Sequence, residues 1–143
     1  MSRYLLDSNI VSNVTKPFSS PSLATWMMGQ VDEDLFIASI TVGEIWRGIL
    51  EKPPGKKRRD LESWFHGSEG PPSLFADRIL SFDAKAGMIW ARLMFDGTRI
   101  GRPRSPLDMI LAAIAEANDC ILVTDNEKHF AGLKFINPMR TRN

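Results

Sequence analysis

A single cysteine, Cys120, rules out an intramolecular disulfide and leaves no thiolate set for a structural zinc site. Its neighbours, Ile121, Leu122 and Val123, make it a small buried hydrophobe rather than a nucleophile. Long apolar runs are also missing. No stretch approaches the roughly 18–20 residues of a membrane span, and the opening Met1 to Asp7 lacks the apolar run of a signal peptide. The expectation is therefore a cytoplasmic protein with no membrane partner. An excess of either charge is missing as well: 18 Lys and Arg stand against 17 Asp and Glu, a net charge of +1, so bulk charge does not announce a nucleic-acid binder. The positive charge is clustered, however, in Lys56 to Arg59 and in Arg99, Arg102 and Arg104, which fall in one Gly/Pro-containing stretch read as a loop. Histidine is scarce too, and neither His66 nor His129 has an evident partner in the sequence.

The chain of 143 residues fits one domain, expected over residues 1–139 with a frayed tail at 140–143. Apolar runs without alternation mark strands at Tyr4 to Leu6, Leu35 to Ser39, Ile79 to Phe82, Cys120 to Thr124 and, more weakly, Lys134 to Ile136. Such runs belong to parallel sheets covered on both faces. Helical patterns lie between them, at Ser22 to Gln30, Thr41 to Glu51, Lys56 to Gly67, Ala84 to Phe95 and Pro106 to Asn118. Breaks fall at Pro53-Pro54-Gly55, Gly70-Pro71-Pro72 and Asp96 to Pro103. Alternating strands and helices predict an α/β fold: a three-layer α/β/α sandwich around a mainly parallel sheet of about five strands.

Against this frame three acids are conspicuous. Asp7 ends the first strand, Glu44 lies in the first turn of the helix after the second, and Asp108 opens an almost wholly apolar helix. The polar pair Asp125-Asn126 follows the fourth strand. Each has a purely structural explanation. Thr41-x-x-Glu44 and Ser105-x-x-Asp108 match capping-box spacing, and Asp7 and Asp125 are placed to cap short helices. In open parallel sheets, however, ligands bind beyond the carboxyl ends of strands, where these acids would converge. Carboxylates brought within about 4 Å repel by roughly 4 kcal/mol per pair at an effective dielectric near 20. A hard divalent cation, Mg²⁺ or Mn²⁺, removes that penalty and suits phosphodiester displacement.

The motifs also resemble a known family. Leu5-Leu6-Asp7-Ser8-Asn9, Ile40-Thr41-Val42-Gly43-Glu44, Pro106-Leu107-Asp108-Met109-Ile110-Leu111-Ala112-Ala113 and Leu122-Val123-Thr124-Asp125-Asn126, in that order, are similar to the four motifs of PIN-domain ribonucleases. The resemblance is to VapC-type, FitB-like toxins of type II toxin–antitoxin pairs. It implies Asp7, Glu44 and Asp108 as metal-site carboxylates, with the fourth position filled by Asp125 or by Asn126. It implies Asn9, Thr41 and Thr124 as residues that orient carboxylates or waters. The implied activity is Mg²⁺- or Mn²⁺-dependent endonucleolytic cleavage of RNA by an activated water, with Arg99, Arg102 and Arg104 holding the RNA backbone. The implied partners are a DNA-binding antitoxin encoded by a neighbouring gene and a second copy of the chain, in a homodimer and a toxin–antitoxin hetero-oligomer. Trp46 and Trp64 are placed to help form a groove for an antitoxin segment.

Two other classes compete. A haloacid-dehalogenase-like phosphatase also has an Asp after its first strand, but its second Asp is replaced here by Asn9. A PIN-fold RNA- or protein-binding domain that has lost catalysis is favoured by the uncharged Asn126 and opposed by the three retained carboxylates.

Overall fold

A computed structural model describes residues 2–14 and 20–140. Five parallel strands form one sheet: β1 (Arg3–Leu6), β2 (Leu35–Ala38), β3 (Ile79–Leu80), β4 (Cys120–Val123) and β5 (Phe135–Ile136), in the order β3-β2-β1-β4-β5. The chain winds outward from β1 to β2 and β3 on one side, then returns to place β4 and β5 on the other. The carboxyl ends of β1 and β4 therefore flank the point where the winding reverses, which is where such sheets open a crevice. Leu6 pairs with Val123, and the Asp7 N–H extends the ladder to the Val123 carbonyl at 2.9 Å. Asp7 and Thr124 thus leave the sheet side by side.

The pleat sends alternate strand residues into two cores. Leu5, Ala38 and Leu122 pack with Leu93, Met109 and Ile114, which belong to α6 (Ala84–Arg99) and α7 (Pro106–Ala117). Leu6, Leu35, Ile37 and Val123 face the opposite layer. That layer comprises α1 (Ser8–Val14), α2 (Pro21–Met28), α3 (Ser39–Leu50), α4 (Lys56–His66) and α5 (Pro71–Leu74). Leu5, Leu6 and Val123 are fully buried, as expected of strands covered on both faces. The three-layer α/β/α sandwich with a parallel sheet is the expected fold. Among the described residues, no helix is long and apolar enough to cross a membrane.

Local differences have local causes. The stretch read as a loop from Asp96 to Pro103 is helical as far as Arg99. Gly97 is compatible with the helix because its missing side chain admits Arg104; a Cβ there would lie 2.9 Å from Arg104 Cγ. The helix ends at Gly101, whose φ of +73° is the left-handed conformation glycine adopts freely. The Gly101 N–H donates to the Thr98 carbonyl at 3.0 Å and the Arg102 N–H to the Gly97 carbonyl at 2.9 Å, a Schellman closure. The short helix that Asp7 was placed to cap is α1, and a further short helix, α5, lies where a Gly-Pro-Pro break was read; Pro71 starts it at the position proline favours. Of the expected tail, residues 141–143 lie outside the described residues, whereas Arg140 Nε pairs with Glu127 Oε2 at 2.6 Å.

Candidate acidic site at the sheet edge

Asp7 is built from two elements at once. It ends the central strand and caps α1, its carbonyl accepting from the Val11 N–H at 3.1 Å and its Oδ1 from the Ser8 N–H at 2.7 Å. Its Oδ2 accepts from Thr124 Oγ1 at 2.7 Å and from Asn9 Nδ2 at 3.2 Å. The Thr124 hydroxyl also accepts from the Asn126 N–H at 3.0 Å, which commits its single proton to Asp7. Asn9 Oδ1 accepts from the Asp125 N–H at 3.1 Å, closing a strap between α1 and the exit of β4. Asp7 is only 5% exposed and Thr124 not at all. Asn9 and Thr124 thus both donate to the Asp7 carboxylate.

Glu44 sits on α3, but in its second turn: the helix starts at Ser39, with Ala38 as a cap that makes no side-chain bond. The capping box read into Thr41-x-x-Glu44 does not form, because β2 ends earlier than its apolar run suggests. Thr41, one turn before Glu44, is instead fully buried, with a hydroxyl that has no hydrogen-bond partner among the described residues. At α7 the capping reading holds in half. Ser105 Oγ accepts from the Asp108 N–H at 3.3 Å, but the Asp108 carboxylate turns away, its Oδ2 lying 3.1 Å from His129 Nδ1.

Electrostatics ties the three acids together. Burial pushes the Asp7 carboxyl above its ordinary value of 3.8, and the charge of Asp108 adds to the shift against the pull of its hydrogen bonds. Glu44 is likewise pushed above 4.5, by burial and then by the charges of Asp7 and Asp108, with Arg47 opposing. The three acids are thus close enough for each charge to act on the next, with Glu44 lining one cavity and Asp108 another. Among the described residues, no three Asp, Glu, His or Cys side chains close onto a single point as an ion's ligands. Proximity of charge and closure around an ion are different demands, and the three acids meet the first.

The fourth position divides. Asn126 lines a cavity of about 700 Å³ with Ser8, Asn9, Glu44 and Trp64. The Asp125 carboxylate is drawn out of this group, its Oδ1 accepting from Asn137 Nδ2 at 3.1 Å; the same nitrogen donates to Glu127 Oε2 at 2.7 Å. Trp64 lines the cavity, whereas Trp46 packs at a tilt against Phe65 and edge-on against His66.

The arginines divide too. Arg102 and Arg104 line a second cavity, of about 550 Å³, that begins at Asp108 and includes Lys128 and His129. Arg104 also donates to the Leu93 carbonyl at 2.8 Å, so it braces α6. Arg99 belongs to α6 and points to Asp96, 3.9 Å away, rather than standing in the loop. The other basic cluster is partly neutralised: Lys56 pairs with Asp60 and Arg58 with Glu62 along α4.

Comparison with known proteins decides the family, since the PIN domain model matches residues 4–136. The chain belongs to the PIN-domain family. It is 33% identical over 136 residues to "VapC ribonuclease Y4jK" of Sinorhizobium fredii, covering 94% of this chain and 96% of that protein. It is 29% identical, with the same coverage, to "Toxin FitB" of Neisseria gonorrhoeae. The solved structure of "FitAB bound to IR36 DNA fragment" contains a chain that superposes with a TM-score of 0.87 at 27% identity, over 98% of both chains. In this PIN domain, sequence reading found no partner for His129 and gave Asn137 no role; the structure sets His129 against Asp108 and Asn137 between Asp125 and Glu127.

Proposed function

We propose that this PIN domain is a Mg²⁺- or Mn²⁺-dependent endoribonuclease and the toxin of a toxin–antitoxin pair, acting in the cytoplasm. The observation that carries the reading is the group of three acids. Burial and Asp108 disfavour the charge on Asp7, and among the described residues no cationic side chain pairs with it. That donor chemistry fits a hard divalent ion, and the orphaned Thr41 hydroxyl one helical turn from Glu44 is an additional unused oxygen. Asp7, Glu44 and Asp108 would hold the ion, with Asn126 contributing a neutral carbonyl oxygen and Asp125 remaining in the strap beside Asn137. When bound, the ion supplies an activated water and stabilises the charge of phosphodiester displacement.

The chain's own residues do the positioning. Thr124, Asn9 and the Ser8 N–H fix the Asp7 carboxylate, so its orientation does not depend on the substrate. In the hydrolysis this would support, the water oxygen would bond to phosphorus as the bond to the leaving ribose oxygen breaks, the proton released by the water ending on that oxygen, and no side chain is covalently modified. Arg102 and Arg104 face the cavity beside Asp108 and hold the RNA backbone; such contacts supply affinity without sequence choice. Arg99, engaged with Asp96, has a lesser part.

The relatives named as a ribonuclease and as a toxin support the activity and the biological role, and the FitAB–DNA complex supports a DNA-binding antitoxin partner. The partner assembly is a homodimer of this chain joined by the antitoxin, with Trp64 in the groove that receives it. The test is cleavage of total cellular RNA by antitoxin-free protein with Mg²⁺, with Mn²⁺ and with EDTA, beside Asp108→Ala. Discrete fragments that need both the metal and Asp108 are expected. RNA binding with no cleavage under either metal would favour the non-catalytic PIN-fold reading.

A further inference from the structure

The cavity beside Asp108 carries more positive charge than the protein as a whole. Arg102, Arg104 and Lys128 line it with a single carboxylate, that of Asp108. Among the described residues none of these three cations has a carboxylate partner, in contrast to Lys56, Arg58, Arg92 and Arg140, which all do. The one carboxylate present is itself engaged by His129, whose Nδ1 lies 3.1 Å from Asp108 Oδ2. His129 thus lines the basic cavity while holding the one carboxylate in it. The walls come from two segments distant in sequence. One is the loop closing α6 after Gly101. The other is the turn Glu127–Phe130 and its continuation through Gly132, whose φ of +85° carries the backbone past Arg104.

Unpaired cations lining a concave site next to a polyanion-cleaving centre have a defined complement. A phosphate group fits, because it accepts from several donors at once and carries the charge the cavity lacks. We propose that Arg102, Lys128 and Arg104, walled by His129, form a subsite for a single RNA backbone phosphate neighbouring the one that is cut. The proposal rests on the ribonuclease reading for its ligand. It differs from a general basic surface in assigning the contact to Lys128, excluding Arg99, and giving Lys56 and Arg58, which are paired along α4, no share.

Anisotropy of a fluorescein-labelled single-stranded RNA 12-mer, measured in EDTA from 50 to 200 mM salt, tests it without reference to cleavage. Arg102→Ala/Lys128→Ala is compared with wild type and with Lys56→Ala, a charge-removing control on α4. Arg102 and Lys128 are exposed, so their removal spares the core; Arg104 is left in place because it braces α6. Each lost phosphate contact lowers the slope of log affinity against log salt by about 0.7 on single strands. With one phosphate contact at stake, wild type should thus lose about 2.6-fold more affinity than the double variant across that range, and Lys56→Ala should track wild type. Equal slopes for all three proteins, or no RNA binding by wild type in EDTA, would overturn the subsite. The ribonuclease reading fails separately: metal leaves the RNA intact while the slope difference persists.

Discussion

Thr124→Val removes one oxygen from a fully buried position and changes little else in shape. The hydroxyl donates to Asp7 Oδ2 at 2.7 Å and accepts from the Asn126 N–H at 3.0 Å. Valine puts a methyl group in its place, leaving Asp7 Oδ2 with Asn9 as its remaining donor and the Asn126 N–H without this acceptor. A hydrogen bond to a charged group contributes about 1.5–3 kcal/mol, so we expect the variant to lose about 2 kcal/mol at pH 7. For a domain of this size that is about 6–8 °C in melting temperature. The loss must also depend on pH. The bond favours ionised Asp7, and burial sets the folded-state titration of that carboxyl above its ordinary 3.8. As pH falls through that raised value, Asp7 becomes neutral in both proteins and the deficit shrinks. Urea unfolding of wild type, Thr124→Val and Thr124→Ser at pH 7 and at a pH below 3.8 measures this, serine retaining the hydroxyl. A deficit under about 0.5 kcal/mol at pH 7 would refute the reasoning, as would one of equal size at both pH values.

Glu44→Gln should stabilise the metal-free protein. Its folded-state titration is raised, so the stability it contributes is full below 4.5 and lost as pH rises through the raised value; the variant's gain over wild type should therefore appear on the neutral side in melting curves taken with EDTA. Conversely, Mn²⁺ should raise the melting temperature of wild type more than that of Glu44→Gln, because ligand binding stabilises only in proportion to affinity. Gly97→Ala should destabilise by about 1–3 kcal/mol in urea unfolding, since a Cβ would stand 3.0 Å from the Arg102 carbonyl oxygen and 2.9 Å from Arg104 Cγ. Gly70→Ala should be worse, with little soluble protein recovered on expression, because its Cβ would run into the Phe65 and Trp64 carbonyls, backbone atoms that cannot step aside.

What could be read from the sequence follows from how locally each feature is determined. Strands buried on both faces carry their burial in their own residues, so Leu5-Leu6 and Leu122-Val123 announced the parallel sheet directly. The places of Asp7 and Asp125-Asn126 followed, since a polar residue after such a strand falls on its carboxyl edge. Helix ends were harder. Asp96-Gly97-Thr98-Arg99 reads as a breaker because a glycine in a helix is usually a weakness; here it is required by Arg104, 7 residues later in sequence but against it in space. The same distance problem hid the pairing of Asp108 with His129, separated by 21 positions and joined only by the packing of the Glu127–Phe130 turn against α7. Thr41 misled because capping-box spacing is short and common, whereas the start of α3 is set by where β2 leaves the sheet. The arginines could not be ranked from sequence, since what separates Arg99 from Arg102 is the presence of Asp96 beside one of them.

Binding of a divalent ion by Asp7, Glu44 and Asp108 in order to cut RNA is tested most directly by one Mn²⁺ titration in which bound ion, by electron paramagnetic resonance, and cleavage of a defined RNA are followed in the same antitoxin-free sample, for wild type and Asp108→Ala. Cleavage that rises with bound Mn²⁺ in wild type, with both lost in Asp108→Ala, is the predicted result. Cleavage that persists in EDTA or in Asp108→Ala, or Mn²⁺ bound by these acids with the RNA left intact, would contradict it.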